Sequence, residues 1–169
     1  MIYQGGGYKI LLVLHLLSVV VAFGPWFLNG MFPSAARRRS TTASAAAAPA
    51  SAADAASAWA EAKAINQVNL RVSTMSQFAM YGVFVFGFAT LSAAPKGSIS
   101  ASDGWVIGAI VVWVAIIGVL HALVLPAQRA LAAGNGDLAS VTTRQAIGAG
   151  IINVLVIVAV FLMVFGPQT

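Results

Sequence analysis

Five polar side chains, His15, Gln77, Thr90, His121 and Asn153, interrupt the apolar runs of this chain. Polar groups at membrane depth are costly, so they are the first residues to suspect of function. An imidazole can ligate a metal or carry a proton, which makes the two histidines the centre of any such chemistry. Helical rise puts His15 about 10 Å below one edge of its run and His121 about 24 Å below the same edge, an offset of about 14 Å. That offset disfavours one iron taking both as axial ligands and leaves open separate single-ligand sites or haem ligation with a second chain. Each is therefore read alone: His15, with Ser18 one turn away, as a buried structural histidine or a ligand, and His121 as one member of a polar cluster with Gln77 and Asn153. That cluster is a hydrogen-bonded joint between three helices or a proton or ligand site. No further catalytic set accompanies them. The four acids, Asp54, Glu61, Asp103 and Asp137, all fall outside the apolar runs, no cysteine exists, and HExxH, P-loop and GxSxG patterns are absent. This pattern points away from an enzyme.

These residues sit in a chain whose solvent is lipid. Only 8% of the 169 residues are charged and 60% are apolar, whereas a soluble domain carries about a quarter charged residues. Four stretches have the ~20 apolar residues that cross a bilayer: Tyr8–Leu28, Met75–Ala94, Trp105–Leu125 and Ala146–Phe165. The sequence predicts an all-α integral membrane four-helix bundle in a single domain. The first run, Ile10 to Leu28, is longer than a signal-peptide core, so it reads as a retained helix. Period-2 alternation is absent, which argues against a β-barrel. The loop 29–74 contains an Ala-rich stretch, Ser40–Ala64, too polar for a fifth span because of Asp54, Glu61 and Lys63. It reads as a linker followed by a water-exposed helix starting near Ser51, one that runs on into the second span.

Basic residues set the orientation. Arg37, Arg38, Arg39, Lys63, Arg71, Arg129 and Arg144 lie on one side and only Lys9 and Lys96 on the other. The seven belong in the cytoplasm, with both termini outside a bacterial cytoplasmic membrane and loops 29–74 and 126–145 inside. The Arg37–Arg39 run then reads as a headgroup anchor, and nucleic acid is not an expected partner.

Helices in lipid associate through close packing of small residues. Gly104, Gly108, Ala115, Gly118 and Ala122 recur along one stripe of the third span, which predicts a packing seam with Trp113 opposite it, toward lipid or a partner. Ala146, Ala149, Gly150 and Asn153 form a similar face on the fourth span, and His15, Ser18, Ala22 and Asn29 on the first.

Lys9, His15 and Gly24 of the first span resemble the opening helix of a predicted integral membrane family of small bacterial four-helix proteins, distantly similar to copper-resistance D proteins and the membrane-bound protoporphyrinogen oxidase. Ala22 stands where those families carry a tryptophan, and Lys9 lies six residues before the histidine, farther than is usual for them. The resemblance implies a bundle handling copper or haem b, with His15 as the ligand. Two functions are thus expected: an accessory or scaffold subunit packing against other membrane proteins or itself, and a redox protein using His15.

Overall fold

The computed structural model describes residues 6–28, 52–95, 97–133 and 137–166. Every regular element among them is helical: α1 (Gly6–Leu28), α2 (Ala52–Ser92), α3 (Gly104–Val119), a π turn (Leu120–Val124), α4 (Leu125–Ala133) and α5 (Leu138–Phe165). From α3 to α4 the chain continues without a break, so four rods result, each long and apolar enough to cross a membrane. Asn29, Arg37–Arg39, Lys96 and the linker up to Ser51 lie outside the described residues.

The rods are longer than the apolar runs. α2 has 41 residues, about 61 Å at helical rise, twice the hydrocarbon thickness. Its alanines have the highest helix propensity of any residue, so the polar extension and the span form one helix. The third rod does not end at Pro126 as the sequence suggested. A mid-helix proline lacks an N–H and crowds the carbonyl four residues before it. Here the wider π turn ends at Val124, two residues before Pro126, and the helix resumes as far as Ala133. α5 starts eight residues before the predicted span, because Asp137 caps it by accepting from the backbone N–H groups of Ala139 and Ser140.

α1 packs along α2, α3 along α5, and α4 wedges against both α2 and α5. They share one core, built by Ala22, Phe23 and Trp26 of α1, Met80 and Val83 of α2, Ile116, Leu120, Val124 and Leu125 of the third rod, and Ile152 and Val156 of α5. The outer surface is equally apolar: Val13, Val20, Val111, Val154 and Phe161 are all exposed. Lipid is the solvent for which such a surface is suited.

The glycines that allow close approach are not those of the predicted seam. Gly82 and Gly87 of α2 face Ser18 and His15 of α1. Gly148 of α5 lies so close to the third rod that an added Cβ would sit 2.6 Å from Val124 Cγ2, and Trp105 is seated directly on Gly166. By contrast Gly104, Ala115, Gly118 and Ala122 are exposed, and nothing lies within 4 Å of a Cβ built on Gly104 or Gly118. Of that stripe only Gly108 meets another helix, at Leu162. The predicted seam is therefore turned outward, and large side chains (Val106, Ile116, Leu120 and Val124) fill the inward face. Trp113 is corrected with it. It is half-buried, donates from Nε1 to the Met80 carbonyl at 3.1 Å and stacks on Phe84 at 4.4 Å. Where both sides of a helix are apolar, periodicity locates a stripe but not the direction it faces.

Candidate functional site: the outward face beside the π turn

His15 sits between α1 and α2. Its Nδ1 lies 3.0 Å from the Val83 carbonyl, and since a carbonyl only accepts, Nδ1 carries the proton and Nε2 the lone pair. The ring packs against Gly87, where a Cβ would stand 3.1 Å from Cε1 and 3.2 Å from Nδ1. Glycine there lets the imidazole approach the helix closely.

His121 lies in the π turn and faces outward. Its Nδ1 donates to the Ile117 carbonyl at 2.9 Å, which leaves Nε2 to accept. Gln77 Nε2 donates to it at 3.0 Å, and Tyr81 Oη stands 3.4 Å from the same nitrogen. Gln77 also donates to Tyr81 at 3.0 Å, so the three side chains close a ring of contacts between α2 and the third rod. Gln77 and His121 of the expected cluster thus come together. Asn153 does not join them: its Oδ1 is buried on α5 without a hydrogen-bond partner. Tyr81 takes the third place, and the signal for it was its i+4 spacing from Gln77 on one helix face.

With α2 as a ruler, His15 is level with Val83–Gly87 and His121 with Gln77–Tyr81. The offset is about 9 Å, smaller than the sequence suggested, and the two contact faces of α2 are turned roughly 120° apart. The histidines lie on different sides of one helix. Among the described residues no three His, Cys, Asp or Glu side chains converge as a metal site.

A second polar group is fully interior. Trp26, Asn69, Ser73, Ser76, Gln128 and Gln145 are each no more than 2% exposed. Within it Gln128 Nε2 donates to Ser73 Oγ at 2.9 Å. Trp26 Nε1, Asn69 Oδ1, Ser76 Oγ, Gln128 Oε1 and both amide atoms of Gln145 have no protein partner. Unmet buried groups cost about 1–3 kcal/mol each, so six of them rival the ~5–15 kcal/mol stability of a whole domain. The sequence reading missed this group. Asn69, Ser73 and Ser76 follow the i, i+4, i+7 pattern that leads into Met80 and Val83, but Gln128 and Gln145 fell in a stretch read as loop.

The outward side of the third rod therefore carries two features together. One is the small-residue stripe of Gly104, Ala115, Gly118 and Ala122. The other, about 100° around the same rod, is the ring of His121, Gln77 and Tyr81. The chain matches no family model, no curated protein and no solved structure. Its chemistry has to be read from this face. Small residues let a foreign helix approach closely, and polar side chains in lipid supply hydrogen bonds to it.

Proposed function

We propose that the protein is an accessory or scaffold subunit that docks a transmembrane helix of another membrane protein on the outward face of its third rod. The observation that carries this reading is the orientation of the stripe: Gly104, Ala115, Gly118 and Ala122 are exposed, and nothing lies within 4 Å of a Cβ built on Gly104 or Gly118. A partner helix laid along Ala115, Gly118 and Ala122 would pass beside His121, whose exposed ring of contacts with Gln77 and Tyr81 offers polar groups to it. The test is photocrosslinking in native membranes from a reactive side chain introduced at Ala115, against one at Val13 of α1. Ala115 should give one discrete adduct and Val13 none. Equal, diffuse labelling from both would contradict the reading.

In this reading the end of the bundle marked by Arg71, Arg129 and Arg144, all exposed, lies at the cytoplasmic headgroups. The polar part of α2 then projects about 30 Å into the cytoplasm. A Cys label at Ala45 should be shielded in intact cells and one at Ser98 reachable; the reverse pattern would invert the topology.

A second reading, a haem- or copper-handling protein as the resemblance of the first span implies, rests on one observation. The Val83 carbonyl holds His15 Nδ1–H and leaves the Nε2 lone pair available, as in metal-ligating histidines. Among the described residues no second histidine faces the same site, so in this reading a second ligand comes from a partner. Protein expressed with haem and copper supplied should then show a Soret band or bound copper that His15→Ala removes. Absence of both from the wild-type protein would eliminate this reading.

A further inference from the structure

The interior changes character along the bundle. Around Met80, Val83, Ile116 and Ile152 it is mostly apolar. Toward the arginine end it becomes the layer of Trp26, Asn69, Ser73, Ser76, Gln128 and Gln145, to which all four rods contribute.

These side chains fall within about two helical turns of one another along the bundle. Ser18 meets Gly82, and eight residues farther along the antiparallel pair brings Trp26 beside Ser73–Ser76. Gln128 is bonded to Ser73. Gly148 abuts Val124 and Leu123, so three residues back along α5 brings Gln145 beside Gln128. All six are buried, with Asn69 one turn beyond Ser73 on α2.

The unmet atoms are of both kinds. Asn69 Oδ1, Gln128 Oε1 and Gln145 Oε1 need a donor, Trp26 Nε1–H and the Gln145 amide N–H groups need an acceptor, and the Ser76 hydroxyl can serve either way. A water molecule in a protein interior makes about three hydrogen bonds. Water both donates and accepts, so it can meet the oxygens and the N–H groups of one layer together. We infer that this layer is a hydration site holding ordered water, closed off from the lipid and bordered by the core of Met80, Val83, Ile116 and Ile152. A bare cation would serve the oxygens but not the N–H groups, and no carboxylate is present to balance its charge.

The test is magnetisation transfer from water to indole and side-chain amide protons in isotope-labelled protein in lipid nanodiscs. Trp26 and Gln145 should receive it. Trp113, whose indole N–H is bonded to the Met80 carbonyl, should not, and serves as the internal reference. A Trp26 indole as silent as that of Trp113 would overturn the inference. So would saturable shifts of the Asn69 and Gln145 amide signals when choline is exchanged for sodium or ammonium, since these would place a cation in the layer. Gln145→Leu removes one donor and one acceptor and should cut the transfer to Trp26 by half or more while the Trp113 signal stays in place. Undiminished transfer in a folded variant would also overturn the inference, and should the variant not fold, the wild-type comparison of Trp26 with Trp113 decides alone.

Discussion

Gly148 on α5 and Gly118 on α3 are the same residue type on neighbouring rods, yet they do opposite work. Gly148 is buried where α5 crosses the π turn, and any side chain there meets Val124 and Leu123. Gly118 faces outward with open space around it. One glycine therefore holds the chain's own helices together, while the other leaves a groove that this chain does not fill. The difference shows that in a bilayer, where both sides of a helix are apolar, a small residue serves folding or association according to which side it faces.

Substitutions can break or sharpen this contrast. Gly148→Leu should have the largest effect. Its first side-chain carbon already overlaps Val124 Cγ2, so α5 and the third rod must part, at a cost of about 3 kcal/mol read from thermal unfolding in detergent. A cost near zero would mean that the inward seam is elsewhere. Gly87→Ala should come next, at about 1–2 kcal/mol, because the methyl displaces the His15 ring and its bond to Val83. Adding His15→Ala should recover part of that loss, and strict additivity of the two would show that they do not touch. Trp113→Phe keeps the stacking on Phe84 but removes the hydrogen bond to the Met80 carbonyl, for about 1 kcal/mol. A tryptophan facing lipid would lose nothing. Gly118→Leu should be the mildest for the isolated chain, within about 0.5 kcal/mol of wild type.

Much of the architecture was legible from charge and hydropathy, because a 20-residue apolar run between Arg71 and Lys96, or after Arg144, has few alternatives in a membrane. The helix ends were less so. Pro126 reads as a stop, and only the π turn before it lets the helix continue. The first-helix face of His15, Ser18 and Ala22 was also visible, because His15 and Ser18 are polar and must turn inward against the glycines of α2. The stripe of the third span lacks any polar residue to orient it, which is why its direction was read in reverse and Trp113 with it. Gln77 and His121 were legible as polar residues at similar depth. Tyr81 was hidden among the aromatics of α2, and the interior layer was hidden because Gln128 and Gln145 flank a short turn between two helices. There, local composition resembles a solvated loop although both side chains point into the bundle.

The account rests on the outward face of the third rod being a docking surface, and the most direct test is the size of the complex extracted from native membranes in mild detergent. Wild-type protein should migrate in an assembly larger than the 17.4 kDa chain. The double variant Gly118→Leu, Ala122→Leu should fall to the size of the single chain while unfolding at the wild-type temperature. A wild-type protein that runs alone, or a double variant that keeps its assembly, would contradict the account.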